Sequence, residues 1–433
     1  MRSVKRMDDN YDVAIIGGGI TGTALAYILS KYTTIKKIVL IEKCSSIAQV
    51  NSRTSSNSQT LHFGDIETNY TKEKAVIVRD GAQMVKRFVE QHRAINQKLY
   101  RKTKKMVIAV GSAECAQLEQ RYAEIKQLFP KLQRLNNDAI AKIEPSLTEG
   151  RKEELLALCS DDGYAINYQK LAETFVCEGR AETLLNTTVK KITKSDTYHI
   201  ETERGIIDAA VIVVSAGAYS LHFAQMLGYG KEYALFPCAG DFYYGKNLLK
   251  NKVYTFQIKG IPFAAVHGDP DVEHPEITRF GPTALVVPWL EKRNILSALY
   301  LLPYLRWRTI KTLIKALKEK GLRKFILRNF RYYLPFGKYA YIKALRKIIP
   351  NLKGSDIKKD KTAGGLRPQV MDIVKQKLVM GEVKITGDNI IFNITPSPGA
   401  SICLKNAEKD AIDIIRFFGK YKLNHEQLKK DLH

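Results

Sequence analysis

The sequence predicts an α/β fold, in which a Rossmann-like dinucleotide-binding domain carries an inserted second domain of α+β type with a mainly antiparallel sheet. Three observations predict this arrangement. A strand, a glycine-rich turn, a helix and a second strand follow one another at 11–43. Residues 236–290 alternate apolar and polar side chains between Gly and Pro, as antiparallel strands do. A strand and a helix at 390–418 return the end of the chain to the first sheet.

Length and composition limit the class of protein. At 433 residues the chain is long enough for two domains with sizeable cores, and its apolar content of 45% is typical of a globular protein. Its six cysteines are scattered without metal-ligand spacing, which indicates a reducing compartment and predicts no metal site. We expect no signal peptide, and no apolar stretch reaches the roughly 18 residues of a membrane-spanning helix.

The first element is a dinucleotide fingerprint. The apolar run Val13–Ile16 enters the motif G-x-G-x-x-G, and a second apolar run ends in Glu42, 20 residues beyond Gly22. Gly17 permits the tight turn, Gly19 lets the backbone approach a pyrophosphate, and Gly22 lets the helix pack on the strand. An acid at the position of Glu42 accepts hydrogen bonds from a ribose hydroxyl. A glycine-rich loop without a ligand does not explain that acid.

The sequence pattern in the middle of the chain predicts further strands and helices. A polar loop at 49–64 is rich in small hydrogen-bond donors, and loops of this kind often line ligands. The patterns then predict a helix at 70–100, a strand at 103–110, a helix from 111 to about 129, a strand at 154–162 and a helix at 167–179. Short strands around Val189 and Tyr198 precede a buried strand that ends in Ser215-Ala216-Gly217. Such a strand end lets the backbone approach a bound nucleotide.

The C-terminal part returns to the sheet. Ile390–Asn393 is predicted to be a strand, 395–401 a tight loop, and 402–418 a helix whose first N–H groups face something negative. A glycine turn and a helix N-terminus thus come from opposite ends of one chain. A cofactor that spans the fold explains both, which favours FAD over a nicotinamide.

Residues 290–350 differ from the rest of the chain. They hold 16 Lys or Arg and two Glu, interleaved with Tyr and aliphatic residues, and the whole chain has a net charge of +25. This excess implies an anionic partner, and the long apolar stretches favour a membrane surface over nucleic acid. We expect the apolar run 295–305, followed by Arg306 and Trp307, to act as an interface anchor. The alternative is a solvated helical face whose apolar side packs inward.

The chain resembles the FAD-dependent malate:quinone oxidoreductases from about residue 11 to 425. The stretches that carry the resemblance are GGGITG at 17–22, NSQTLHFGDIETNYT at 57–71, IPFAAVHGDPD at 261–271, RFGPTAL at 279–285, GGLRPQV at 364–370 and FNITPSPGASICL at 392–404. The match is to the shorter bacterial branch. A wider group, which contains the L-2-hydroxyglutarate dehydrogenases, shares the His-containing loop, the Arg after a glycine and the terminal P-S-P loop.

The resemblance implies a discontinuous FAD domain, which we assign to 1–85, 151–235 and 355–433. It is interrupted by a substrate domain, which we assign to 86–150 and 236–354. The resemblance also implies attachment to the cytoplasmic side of the bacterial inner membrane. The expected partners are malate, a quinone and an anionic membrane surface, with no nucleic acid.

Oxidation of a 2-hydroxy acid requires a base for the hydroxyl proton and a clamp for the carboxylate. His267 is the candidate base, because an imidazole with a pKa of about 6.5 is poised near neutral pH. Asp269 or Asp271 is expected to orient it. Arg367 lies between two glycines and a proline, a rigid setting for a planar, bidentate clamp.

A dicarboxylate needs a second cation, and the sequence offers Arg279 or His62. Gln59, Thr60 and Tyr70 are further candidates for hydrogen bonds to flavin or substrate. The predicted cofactor contacts are Gly17, Gly19, Gly22, Glu42, Lys43, Val189, Ala216, Gly217, Thr395, Gly399, Ala400 and Ser401.

Three functions follow from these residues. The first is a malate dehydrogenase that uses FAD and passes electrons to quinone. The second is an FAD-dependent L-2-hydroxyglutarate or related 2-hydroxy-acid oxidase. The third is a basic nucleic-acid-binding or scaffolding protein with an inactive Rossmann fold, and the intact glycines and Glu42 argue against it.

Overall fold

The structure is a computed structural model that describes residues 6–94, 98–257, 266–304 and 307–433. The positions 264 and 265, predicted to lead as a strand into His267, lie outside the described residues. So do Leu305 and Arg306, which belong to the predicted interface anchor.

The strands are distributed along the whole chain. In order they are β1 (Arg6–Ile16), β2 (Ile38–Ile41), β3 (Tyr100–Val110), β4 (Gln133–Leu135), β5 (Leu155–Ile166), β6 (Glu182–Leu184), β7 (Val189–Lys194), β8 (Tyr198–Thr202), β9 (Ile206–Val214), β10 (Tyr233–Leu235), β11 (Cys238–Ala239), β12 (Phe242–Lys246), β13 (Lys252–Thr255), β14 (His267–Pro270), β15 (Ile277–Gly281), β16 (Leu285–Val286), β17 (Lys358–Asp360), β18 (Leu366–Arg367), β19 (Val370–Asp372), β20 (Lys377–Leu378), β21 (Val383–Gly387) and β22 (Ile390–Ile394).

The α-helices lie mainly between strands of the first sheet, in the basic region and at the C-terminus. In order they are α1 (Ile20–Tyr32), α2 (Lys72–Gln91), α3 (Ser112–Ile125), α4 (Asn137–Ile143), α5 (Tyr168–Glu178), α6 (Tyr219–Met226), α7 (Trp307–Lys318), α8 (Lys320–Phe330), α9 (Gly337–Leu345), α10 (Cys403–Phe418) and α11 (His425–Leu432).

The first large sheet is the Rossmann-like one. Its order is β21-β22-β9-β1-β2-β6, and β8 and β7 continue from β9. The central pairs β22–β9, β9–β1, β1–β2 and β2–β6 are parallel. In β1, Val13 and Ile15 belong to the core beneath α1, whereas Ala14 and Ile16 belong to the core on the opposite face. A strand covered on both faces explains the unbroken apolar run in the sequence.

The second large sheet is mainly antiparallel, with the order β17-β12-β15-β14-β13-β3-β5-β4. Only the pair β13–β3 is parallel among its described strands. Two three-stranded sheets, β10-β19-β20 and β16-β11-β18, are separate from the two large sheets. The predicted fold class, a Rossmann-like domain combined with a mainly antiparallel second sheet, is confirmed.

Several predicted elements have different bounds. The helix predicted at 70–100 is shorter, because Thr71 caps its start by accepting a hydrogen bond from the Lys74 N–H at 3.2 Å, and α2 ends at Gln91. The helix predicted from residue 402 begins at Cys403, after a 3₁₀ turn at Gly399–Ile402. Local sequence propensity predicts the presence of a helix more reliably than it predicts the residues at which the helix begins and ends.

The pairing of two strands differs from the predicted domain division. Strand β5 lies within 151–235, which was assigned to the FAD domain, yet it pairs along β3 in the second sheet. Strand β17 lies within 355–433 and pairs with β12 in the same second sheet. We therefore propose that both strands belong with the substrate domain. Sequence spacing does not reveal this, because strand pairing is decided by contacts distant along the chain.

Candidate active site

One cavity of about 600 Å³ is lined by residues from both large sheets. It extends from the glycine turn between β1 and α1 to the loop between β22 and α10, and its wall includes the start of β14. The predicted cofactor residues in its wall are Gly17, Gly19, Glu42, Lys43, Val189, Ala216, Gly217, Thr395, Gly399, Ala400 and Ser401. Gly22 is the exception, since it does not line the cavity.

The glycine turn is built by close contacts. Gly17 has a φ of +110°, and a Cβ at this position would lie 2.5 Å from the carbonyl oxygen of Ser215. A Cβ at Gly22 would lie 2.0 Å from the carbonyl oxygen of Gly17, so Gly22 allows the helix to pack against the turn. The turn therefore requires glycine at these two positions for its own packing.

Gly19 has a different role, because the space in front of it is open. A Cβ there would meet only Ser52 Oγ, at 3.4 Å, among the described residues. Gly19 is also the N-cap of α1 and makes no side-chain capping bond. Nearby in the wall, the buried Ser215 Oγ lacks a hydrogen-bond partner in the described part of the chain. An open backbone, a helix N-terminus and an unsatisfied hydroxyl fit the pyrophosphate of a dinucleotide.

Glu42 is held in place at the end of β2. The Gly18 N–H donates to its Oε2 at 2.7 Å, and the Cys44 N–H donates to its Oε1 at 2.8 Å. The neighbouring Lys43 forms an ion pair with Glu291 and lies 5.1 Å from the centre of the Tyr219 ring. Glu42 is thus fixed at the cavity wall, as a ribose-binding acid needs to be.

The C-terminal loop meets the fingerprint across the fold. Thr395 Oγ1 lies 3.2 Å from Thr21 Oγ1, which joins the loop to the first turn of α1. Ser401 Oγ accepts a hydrogen bond from the His62 N–H at 3.0 Å and lies 3.4 Å from the Tyr168 hydroxyl. The loop therefore connects the glycine turn with the polar loop at 49–64.

His267 is buried at the start of β14, with 1% of its surface exposed, and lines the cavity. Its ring stacks on Tyr254, with centroids 4.4 Å apart and planes inclined by 21°. His267 Nε2 lies 3.4 Å from Asp269 Oδ1, and Asp269 Oδ2 accepts a hydrogen bond from Lys252 Nζ at 3.0 Å. Asp269 is therefore close enough to His267 for an electrostatic contact.

Arg367 lines the same cavity at the end of β18, opposite Cys238 of β11. Its loop is rigid, because Gly364 has a φ of +93° and a Cβ there would lie 2.0 Å from the carbonyl oxygen of Gly240. The N–H that precedes Arg367 donates to Asn51 Oδ1 at 3.0 Å. Burial lowers the pKa of Arg367 from its ordinary value, but a guanidinium remains charged at neutral pH.

His62 also lines the cavity, but its charge is paired. Its Nδ1 lies 2.6 Å from Glu67 Oε1. Burial raises the pKa of Glu67, and the hydrogen bond and charge of His62 outweigh that effect, so the pKa lies below its ordinary value. The pair is therefore close to neutral when the imidazole is protonated.

Arg279 and Gln59 are not brought to the cavity wall. Arg279 is fully buried, its Nη2 donates to the carbonyl oxygen of Asn57 at 2.6 Å, and its Nε lies 3.6 Å from Asp271 Oδ2. Gln59 Nε2 donates to the same Asp271 oxygen at 2.9 Å. Both side chains are used to fasten the polar loop to the second sheet. Asp271 is engaged there as well, which leaves Asp269 as the partner of His267.

Sequence reasoning missed several residues of the wall. Tyr254 stacks on His267, and its hydroxyl lies 2.5 Å from Thr60 Oγ1. Lys74, in the first turn of α2, also lines the cavity, beside the predicted Tyr70. The alternation of β13 predicts one buried face but does not indicate a ligand. A lysine near the start of a helix is predicted to be an exposed charge, so the sequence does not indicate that Lys74 lines a cavity.

Solved structures share this architecture. L-α-glycerophosphate oxidase from Mycoplasma pneumoniae, solved with FAD bound, superposes with a TM-score of 0.65 at 18% identity, covering 94% of this chain and 95% of that one. Glycine oxidase from Geobacillus kaustophilus gives 0.68 at 16% identity, covering 94% and 95%. The fold is that of the FAD-dependent oxidoreductases.

Sequence comparison assigns the family. Residues 9–431 match the family model of malate:quinone oxidoreductase (Mqo). A probable malate:quinone oxidoreductase of Helicobacter acinonychis is 40% identical, and malate:quinone oxidoreductase of Helicobacter pylori is 39% identical, each over 98% of both chains. The mitochondrial L-2-hydroxyglutarate dehydrogenase of Nematostella vectensis is 24% identical over 92% of this chain and 88% of its own. This chain belongs to the malate:quinone oxidoreductase family.

Proposed function

We propose that this chain oxidises (S)-malate to oxaloacetate and passes the electrons to a quinone, with FAD as the first acceptor. Family membership supports the substrate and the acceptor. The observation that carries the proposal is that His267 and Arg367, from different strands, line one cavity together with the glycine turn. A base, a carboxylate clamp and a dinucleotide cradle are the parts that this reaction needs.

FAD fits the two ends of the cavity. Gly19, the N-terminus of α1 and Glu42 would hold its AMP half, and the loop at 395–401 would lie at the flavin ring. FAD bound there would supply the hydride acceptor and an electron carrier between malate and quinone. Helix α10 begins without a side-chain cap, so its first N–H groups would stabilise negative charge on a ligand bound next to them.

His267 is the proposed base. We propose that its imidazole, which lines the cavity, takes the proton of the substrate hydroxyl. The Asp269 carboxylate favours the protonated imidazole, and Lys252 holds that carboxylate in position. Asp269 and Lys252 are positioning residues, because they act through His267.

Arg367 is the proposed clamp on the carboxylate next to the reacting carbon. Its guanidinium presents parallel N–H groups that match the two oxygens of a carboxylate. The constrained glycine before it and the strand pair with β11 fix the direction of the side chain. A fixed clamp places the C–H bond of the substrate reproducibly before the acceptor.

The test separates the two roles by anaerobic stopped-flow measurement of flavin reduction over a range of L-malate concentrations. His267→Ala is expected to lower the limiting rate by roughly 10²–10⁴-fold, because the proton acceptor is lost. Arg367→Lys is expected mainly to raise the dissociation constant of malate, because a point charge does not replace a planar fork. The exposed His274 provides the control variant His274→Ala. Near-wild-type reduction by His267→Ala would refute the assignment of the base.

We also propose that residues 290–350 dock the enzyme on the anionic cytoplasmic face of a membrane. The exposed apolar side chains of this region support the proposal: they are Ile295, Leu296, Leu299, Tyr300, Leu302, Trp307, Ile310, Ile314, Leu317, Leu327, Phe330, Leu334, Phe336 and Tyr339. In the described part of the chain, no helix combines the length and hydropathy needed to cross a membrane. Surface docking would let a lipid-soluble quinone reach the enzyme.

A further inference from the structure

The second carboxylate of a dicarboxylic substrate has no cation assigned to it so far. Arg279, one of the two residues offered by the sequence, is fully buried and does not line the cavity. His62, the other, is paired with Glu67 at 2.6 Å. The wall nevertheless holds another cation near Arg367, the half-buried Lys74 of α2.

The surroundings of Lys74 leave its ammonium group unused. Nζ lies 4.3 Å from the centre of the Tyr70 ring, and 4.0 Å from the position that a Cβ of Gly381 would take. Within the described residues, no hydrogen bond or ion pair joins Nζ to an acceptor. An ammonium group in the cavity wall that is not engaged by these residues can donate hydrogen bonds to a ligand in the cavity.

The segment beside Lys74 is joined to the segment that follows Arg367. The Val379 N–H, two residues before Gly381, donates to the carbonyl oxygen of Val370 at 2.9 Å. Burial lowers the pKa of Lys74, Glu382 and Glu67 raise it, and the charge of Arg367 lowers it further. Glu382 is not close enough for an ion pair, because no carboxylate of the described residues lies within 4.0 Å of Lys74 Nζ. A ligand with two negative groups in this cavity would interact favourably with both cations.

We propose that Lys74 binds the carboxylate remote from the reacting carbon, while Arg367 binds the near one, so that Lys74 selects dicarboxylic over monocarboxylic acids. This inference rests on the proposed function. The Tyr70 ring below Nζ holds the ammonium group by a cation–π contact without satisfying its donors. Lys74 is therefore a residue that determines specificity and takes no part in the transfer of the proton.

The experiment compares ligands with one and two carboxylates. Lys74→Met removes the charge and keeps most of the chain length. Titration of the flavin absorbance with succinate is expected to give a dissociation constant about 10- to 100-fold higher than in the wild type, as for a lost hydrogen bond to a charged group. Titration with propionate is expected to give the wild-type value. The KM for L-malate is expected to rise by the same factor as the succinate constant.

Two further variants complete the test. The exposed Lys72, at the start of the same helix, provides the matched control Lys72→Met, for which both titrations should match the wild type. Lys74→Arg should recover part of the succinate affinity, because it restores the charge. Equal effects of Lys74→Met on succinate and propionate, or no effect on either, would overturn the inference. If L-malate failed to reduce the flavin of the wild-type protein, the proposed function would be contradicted. The succinate and propionate titrations would still test whether Lys74 binds the second carboxylate.

Discussion

At the scale of single residues, the polar side chains around the cavity are held by buried partners. Lys252 and Asp269 are both fully buried and lie 3.0 Å apart behind His267. His62 is fixed by Glu67 and by Ser401, in the 3₁₀ turn before α10. Buried pairs of this kind add little net stability, but they keep a side chain in one orientation. The site therefore has its geometry before a substrate arrives.

Glu382 gives a prediction of pH dependence. Burial raises its pKa to about 7, against the hydrogen bond from Asn406, which lowers it. Between its ordinary value of 4.5 and about 7, the folded protein thus binds a proton that the unfolded chain does not. The contribution of this group to stability is therefore present at low pH and is lost as the pH rises through that window. Relative to the wild type, the melting temperature of Glu382→Gln should rise from pH 5 to about pH 7, and the difference should then level off.

The comparison with Glu382→Gln isolates this one carboxyl group. Glutamine keeps the shape and the oxygen that accepts from Asn406 Nδ2 at 2.7 Å, so the same packing is retained without titration. The other charged groups near Glu382, namely Lys74, Lys409 and Asp410, are present in both proteins. A constant difference in melting temperature across the window would contradict the raised pKa.

Residues of the site differ in how far the sequence reveals them. The glycines and Glu42 were predictable, because a fingerprint encodes them by local spacing. Arg279 was offered as a substrate cation although it fastens the polar loop, because its partner Asn57 is more than 200 residues away in the chain. Lys74 was missed for the converse reason, since nothing near it in the sequence shows that the start of α2 faces a cavity.

At the scale of elements, the site depends on two turns from opposite ends of the chain. Thr21, in α1, and Thr395, at the end of β22, are separated by 374 positions yet lie 3.2 Å apart. Strand β22 reaches this place because it pairs in parallel with β9, which pairs in parallel with β1. The carboxyl ends of adjacent parallel strands meet at one edge of the sheet, where ligands of open α/β folds bind.

Gly19→Val tests the dinucleotide cradle. The new side chain has room within the protein, since a Cβ would meet only Ser52 Oγ at 3.4 Å among the described residues. It would nevertheless fill the space before the N-terminus of α1 that we assign to the pyrophosphate. We expect a folded but colourless protein, measured by circular dichroism and by flavin absorbance of the purified protein. A full complement of flavin in this variant would contradict the assignment.

Gly22→Val is the matched comparison, because Gly22 does not line the cavity. A Cβ there would overlap the carbonyl oxygen of Gly17 at 2.0 Å, so this variant should lose stability itself. The two neighbouring glycines thus separate loss of the ligand from loss of the fold.

The elements themselves were largely predictable from periodicity, and their partners were not. The apolar run at Val211–Val214 and the alternation at 236–290 predicted strands of two different sheets, and both predictions are confirmed. Strand β5 carries a similarly apolar run and lies in the stretch assigned to the FAD domain, yet it pairs with β3 in the second sheet. An apolar run shows that a strand is buried but does not show in which sheet.

At the scale of the whole molecule, charge and exposed apolar surface coincide in one region. Helices α7 and α8 lie in this region. Their buried residues are few: Thr309, Thr312, Ala316, Leu322, Phe325 and Asn329. The apolar residues Ile314 and Leu317 of α7 are 47% and 41% exposed. Leu313, Leu322, Phe325 and Ile326 pack inward with Phe236 and Met371, as the alternative expects, while the exposed apolar side chains support the proposed membrane docking.

Co-sedimentation with lipid vesicles tests this surface. The protein should pellet with anionic vesicles, remain in the supernatant with neutral ones, and be released by high salt. The triple variant Arg323→Glu, Lys324→Glu and Arg328→Glu should abolish pelleting, because each basic residue near an anionic surface contributes about 1 kcal/mol. The exposed Lys36, Lys37 and Lys126, changed to Glu together, provide a control of equal charge. Equal recovery of the wild type with both kinds of vesicle would show that this region does not dock.

The central claim is that malate electrons pass through bound flavin to a quinone, and one anaerobic measurement tests it. L-malate is added to the purified protein, the flavin absorbance is followed, and a soluble quinone analogue is then added. We expect L-malate to bleach the flavin, L-2-hydroxyglutarate to bleach it far more slowly, and the quinone to restore the absorbance without oxygen. The account would be contradicted if L-2-hydroxyglutarate bleached the flavin and L-malate did not. It would also be contradicted if oxygen restored the flavin absorbance and the quinone did not.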